Sequence, residues 1–126
     1  MRAVLEGVAH ALADGLELIS ATGPRPPGAR ISGGGARSEL WCRIVASVLD
    51  LPLQRTASTA GSAFGAAMLG GVAAGVFESP RAAARATVKV TAEIAPDPEW
   101  AERYAAQRGR FDALYPALST LPAGGR

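Results

Sequence analysis

Val4, Leu5, Val8, Leu12, Leu16 and Ile19 recur at the spacing of one helix face, which predicts an amphipathic helix from about Arg2 to Ile19. Gly23-Pro24-Arg25-Pro26-Pro27-Gly28 ends it, and Ala29 to Ser32 is a short strand candidate that runs into three consecutive glycines. From Ser38 the pairs Leu40/Trp41, Ile44/Val45 and Val48/Leu49 repeat every four residues, so a second helix follows and stops before Pro52. Leu51 to Arg55 can form another short strand.

Beyond it, Ala57 to Gly61 is a loop of small residues that opens a glycine- and alanine-rich helix from about Ser62 to Val76. Ser79-Pro80 has the serine N-cap and first-turn proline of a further, short helix. Val88, Val90, Ala92 and Ile94 alternate with Lys89, Thr91 and Glu93, an extended segment with one packed face. Pro96-Asp97-Pro98 closes it and caps a last helix, about Glu99 to Tyr115, whose stripe is Trp100, Tyr104, Phe111, Leu114 and Tyr115. From Pro116 the chain reads as loose. Residues 1–118 thus form one expected unit and 119–126 a flexible tail, with no internal repeat and no second domain.

Composition narrows the chemistry. A chain of 126 residues with 48% hydrophobic positions fits one small core, neither disordered nor fibrous. The formal charge is only +2, and the basic residues, of which Lys89 is the one lysine, are scattered among eleven carboxylates. That pattern argues against a nucleic-acid partner. Ala57 to Phe77 carries no charge over a span long enough for a bilayer, but its glycines, alanines and hydroxyls insert poorly. A buried, closely packed helix is expected there and no membrane partner. Cys42 is the only cysteine and His10 the only histidine, which argues against a disulfide framework or zinc site and for a reducing, cytoplasmic compartment. Cys42 is expected to be an inert helix residue, His10 a surface one, and Trp100, Tyr104 and Phe111 core.

Gly33-Gly34-Gly35 between a strand and a helix is the position where a backbone meets a nucleotide: glycine accepts unusual torsions and lets a flat ligand come close. A phosphate-wrapping P-loop is excluded, because Ala36-Arg37-Ser38 follows where lysine and a hydroxyl residue are needed. A dinucleotide fingerprint matches at Gly33 and Gly35 but has Ser38 for its third glycine; only an NADP-type variant with Arg55 on a phosphate stays open.

The wider series is more specific. Gly33-Gly34-Gly35-Ala36-Arg37-Ser38, Leu40-Trp41, Leu49-Asp50-Leu51-Pro52-Leu53 and Ala63-Phe64-Gly65-Ala66-Ala67 resemble, in order and spacing, the C-terminal domain of FGGY-family carbohydrate kinases, the xylulokinases most. The resemblance runs from about Ile31 to Leu118. It implies an α/β fold, a helix-rich part of a ribonuclease-H-like (actin and sugar-kinase superfamily) lobe with few strands. It implies ATP with Mg²⁺ as cofactor, the metal being held by an absent lobe. It also implies nucleotide contact at Gly33, Gly34, Gly35, Ser38 and Glu39, while Trp41, Ile44 and Val45 anchor the helix and the segment near Gly65 and Ala66 packs behind. Two departures stand out: Thr59 and Ala60 where the family carries an acid, with Phe64 nearby, and Asp50 where glycine is common.

Phosphoryl transfer also needs a phosphate cradle, a carboxylate-held metal and a group that positions the acceptor hydroxyl. The family keeps the first and last of these in its N-terminal lobe, and this chain contains no Asp-x-Gly sequence. The expectation is therefore an adenosine-binding portion without catalytic residues: a fragment, a truncated product or half of a split enzyme. Its expected partners are a nucleotide and either the missing N-terminal kinase lobe or a second copy, with a ketopentose bound only by the complete enzyme. A non-catalytic interaction domain is the remaining alternative. Two short strands alone are marginal, so self-association or open sheet edges are expected.

Overall fold

The computed structural model describes residues 2–58 and 60–120. Six helices and three strands follow in the order α1 (Arg2–Ala21), β1 (Ala29–Ile31), α2 (Glu39–Leu49), β2 (Leu53–Thr56), α3 (Gly61–Ala73), α4 (Pro80–Thr87), β3 (Val90–Ile94), α5 (Pro98–Asp112) and α6 (Leu114–Ser119), with a 3₁₀ turn at Gly34–Arg37.

The sheet has the order β1-β2-β3. β1 and β2 are parallel, joined through α2, with Ala29 beside Leu53 and Ile31 beside Arg55. β3 returns antiparallel on the other side of β2, pairing Ile94 with Leu53 and Ala92 with Arg55, with a register shift between Arg55 and Thr56. The alternating segment read as extended is thus the third strand that a two-stranded sheet lacks. Because successive residues face opposite sides, Ala29, Leu53 and Ile94 form an apolar row over the core. Arg30, Gln54 and Glu93 form a polar row on the reverse, where the Gln54 amide donates to Glu93 at 3.0 Å.

The core lies between the first face and α1, α2 and α5, around Ala9, Ile44, Val45, Ala46, Leu53 and Tyr104. α2 has both of its ends written in sequence: Ser38 caps its start and Asp50 ends it in the left-handed conformation at φ 45°. α4 and α5 start on Ser79 and Asp97, whose side chains accept from the N–H groups of Ala82 and Trp100, each with proline in the first turn.

Several expectations are corrected. α1 forms, but it buries Ala9, His10 and Ala13, whereas Val4, Val8, Leu12 and Ile19 of the predicted stripe are exposed. Small residues, not large ones, let α2 and α5 approach, and His10 is interior, its ring stacked on Phe111 at 5.0 Å and edge-on to Tyr104 at 5.9 Å. α3, expected to be buried, buries no residue; it contacts α4 and otherwise faces outward. Its C-terminal end is compact because Gly71 leaves room for Phe77, whose ring would sit 2.9 Å from a Cβ there. α5 stops at Asp112; Leu114 and Tyr115 belong to α6 and are exposed, so they supply no core stripe. Pro116 sits in the first turn of α6, where its missing N–H has no intrahelical partner to lose. The expected tail falls largely on 121–126, outside the described residues. Among the described residues no helix is long and apolar enough to cross a membrane.

Candidate functional site at the strand ends

β1 and β2 run parallel, so the glycine segment after β1 and the small-residue loop after β2 leave the sheet at one end. The carboxyl end of parallel strands is where open α/β sheets hold ligands. The two loops are built differently.

Each of the three glycines has its own environment. Gly33 lies at φ 83°, ψ −171°, a region essentially closed to residues with a Cβ. Gly34 opens the 3₁₀ turn with free space where a side chain would be. Gly35 has none: a Cβ there would lie 3.0 Å from Nε1 and 3.1 Å from Cδ1 of Trp41. The turn is fastened to α2 from beneath, since Ala36 is buried and the Cys42 thiol donates to its carbonyl at 3.5 Å. Cys42 is thereby a buried packing residue.

Ser38 and Glu39 join the same turn, and both side chains have work within the fold. The Ser38 hydroxyl accepts the Trp41 N–H at 3.2 Å, and the Ser38 N–H donates to the Gly35 carbonyl at 3.0 Å. Glu39 receives Nη2 of Arg55 at 2.8 Å. That pair holds the Arg55 guanidinium above its usual range, through the Glu39 hydrogen bond first and the Cys42 contact second. Arg55, the residue open to an NADP phosphate, has a side chain that is 21% exposed and already engaged by a carboxylate. Gly33, Gly34, Gly35, Ser38 and Glu39 therefore share one turn, in which Gly33 and Gly34 have free space at the Cβ position and Gly35 has none.

Beside Ser32 the strand ends enclose a cavity of about 170 Å³ lined by Arg30, Ser32, Thr56, Ser58, Gly61, Phe64, Thr87, Val88 and Lys89. None of these is among the residues expected from sequence to bind. The signal that could have found Ser32, Thr56 and Ser58 is topological: once both strands are parallel, polar residues at their carboxyl ends share a site. Phe64, noted only as a departure from a family pattern, forms part of its wall. Thr59, the other departure, lies outside the described residues, and Ala60 precedes α3 without a side-chain cap.

The sequence model for the C-terminal domain of the FGGY family of carbohydrate kinases matches residues 1–74, more than half of the chain. The chain belongs to the FGGY family of carbohydrate kinases. It is 40% identical to the xylulose kinase of Escherichia coli (strain K12), covering 97% of this chain and 25% of that protein. It is 31% identical to the autoinducer-2 kinase of Photorhabdus laumondii over 95% of this chain and 23% of the relative. The crystal structure of xylulose kinase from Rhodospirillum rubrum superposes with a TM-score of 0.75 at 36% identity, over 94% of this chain and 24% of that one.

The chain thus has the helix-rich fold of a C-terminal sugar-kinase lobe of the actin and ribonuclease-H-like kind, and it is xylulose-kinase-like within the FGGY family. It spans about a quarter of the length of the relatives it matches. The family match begins with α1, ahead of Ile31 where the motif series starts, and the relatives align across nearly the whole chain.

Proposed function

We propose that this chain is the adenosine-binding part of a xylulose-kinase-like enzyme, in which the whole protein transfers the γ-phosphoryl group of ATP to a ketopentose and this part alone is not catalytic. The observation that supports it best is the open backbone at Gly34, between a torsionally special Gly33 and a Gly35 locked under Trp41, at the carboxyl end of two parallel strands. Such a surface offers N–H and C=O groups to the edge of a flat base without a side chain in the way. Among the described residues no three His, Cys, Asp or Glu side chains converge, so the proposal gives Mg²⁺ no ligand on them. Adenosine needs none.

Calorimetric titration of the purified chain with adenosine, ATP, ADP and NADPH tests this. Adenosine and both adenine nucleotides are expected to bind, and Gly34→Val to abolish binding while leaving the melting temperature near that of the parent. Arg55→Ala is expected to leave the titrations unchanged, because Glu39 already engages Arg55. NADPH binding that Arg55→Ala removes would replace the proposal with a dinucleotide module, and silence toward all four ligands would leave an interaction domain. In a coupled assay the chain alone is expected to phosphorylate no sugar; turnover near that of whole kinases would refute the second half of the proposal.

A further inference from the structure

The cavity at the strand ends is lined by two cations, Arg30 and Lys89, and by no carboxylate. Four arginines elsewhere meet acids: Arg2 with Glu6, Arg43 with Asp97, Arg55 with Glu39, and Arg108 with Asp14, Glu17 and Asp112. Arg30 and Lys89 make no side-chain hydrogen bond or ion pair among the described residues. Both are nonetheless fixed at the backbone. Arg30 is paired to Gln54 within the sheet, and the Lys89 carbonyl accepts the Ala57 N–H at 2.9 Å just ahead of β3.

The hydroxyls divide in a way that leaves donors for a ligand. Thr56 donates to the Ser58 carbonyl at 3.2 Å and Thr87 to the Ala83 carbonyl at 2.7 Å, so their protons are used. The Ser32 hydroxyl has no such partner among the described residues. Two positive charges and a free hydroxyl, brought from β1 and from the segment before β3 to one small cavity, match the charge and the several acceptor oxygens of a phosphoryl group.

We propose that this cavity is a phosphate-binding site, held by Arg30, Lys89 and Ser32 and taking the phosphoryl group of a small molecule. It is separate from the adenosine surface at Gly34 and stands without it. The phosphoryl group can be that of a nucleotide lying on the neighbouring glycine turn or that of a free phosphorylated metabolite; the chemistry recognised is the same.

The test is titration of the purified chain with inorganic phosphate at constant ionic strength set with sodium chloride, read by calorimetry and by thermal unfolding. Saturable binding is expected, with a melting temperature that climbs with phosphate and not with chloride. Arg30→Gln with Lys89→Gln is expected to weaken binding by about tenfold or more, and Lys89→Gln alone by about threefold, as charge-assisted donors are lost. Neither residue has an internal partner, so the variants should melt with the parent when phosphate is absent; Lys89→Gln remains informative if the Arg30 change disturbs β1.

Equal effects of chloride and phosphate, or a double variant that binds phosphate as tightly as the parent, would overturn the site. Gly34→Val should keep phosphate binding, so failure of adenosine to bind leaves this proposal intact and fails only the nucleotide one. If the double variant weakens ATP but not adenosine, the phosphoryl group is the nucleotide's. If a pentose phosphate binds without displacing ATP, it belongs to a free metabolite.

Discussion

The indole of Trp41 closes over Gly35 so tightly that a Cβ on the glycine would meet Nε1 at 3.0 Å, while Gly34, one residue earlier, faces open space. Two adjacent glycines with the same composition signal therefore have opposite tolerances. Gly35→Ala is expected to destabilise the chain by about 1–3 kcal/mol, as overpacking does, because Trp41 leads α2 into the core. Gly34→Ala is expected to change stability by less than about 1 kcal/mol. Denaturant unfolding of both variants decides; equal losses would show that the turn is sensitive as a whole. Combining Gly35→Ala with Trp41→Leu should recover part of the loss.

Interior His10 makes stability depend on pH in a stated direction. Burial first, and the Arg108 charge second, hold its pKa below the ordinary 6.5, against smaller opposing effects of Asp112, Glu6 and Asp14. The folded chain keeps the ring neutral where the unfolded chain binds a proton. The stabilisation is therefore complete above about pH 6.5 and is lost as pH falls from there toward the folded-state pKa, with a slope of at most about 1.4 kcal/mol per pH unit. Thermal unfolding from pH 8 to 5 should show the decline, and His10→Phe should flatten it. Glu6 and Asp97, whose pKa values are lowered below 4.5 and 3.8, contribute stability that disappears only in more acid solution. A decline between pH 8 and 5 that His10→Phe leaves unchanged would show that His10 is not its source, since those carboxylates act only at lower pH.

The outward face of α1 predicts association behaviour. Val4, Val8, Leu12, Leu18 and Ile19 are 47–73% exposed along a helix of 20 residues, a contiguous apolar stripe. The isolated chain should self-associate with rising concentration in sedimentation velocity, and Val8→Glu with Leu12→Glu should return it to monomer without lowering its melting temperature. A monomeric parent at high concentration would contradict this.

How far the sequence carried differs by element, for physical reasons. α2 was legible in full because its apolar pairs, its serine cap and its left-handed Asp50 are all local signals that agree. The orientation of α1 was not, because apolar residues surround much of that helix and the face that packs was chosen by small residues that admit close neighbours. α3 looked like core because it carries no charge, yet burial depends on a neighbour, and α4 is the one helix with which it makes an extended contact. The β3 segment announced its alternation but not its partner, since pairing with β2 joins residues about forty apart in sequence. The glycine turn could be placed by its torsional needs. The cavity beside it could not, because its lining is gathered from β1, β2, α3 and the end of α4.

The guanidiniums of Arg2 and Arg43 both lie over the Trp100 ring, with centroid distances of 4.0 and 4.4 Å, at the junction of α1, α2 and α5. Trp41, the other of the chain's two tryptophans, lies against the glycine turn. The molecule thus carries two built-in optical probes in separate places. A fluorophore in contact with two cations from two other helices reports whether the helices are still assembled, and the one beside Gly35 reports what happens at the turn. With Trp100→Phe and Trp41→Phe as a matched pair, emission can separate ligand arrival from loss of the fold in a single sample.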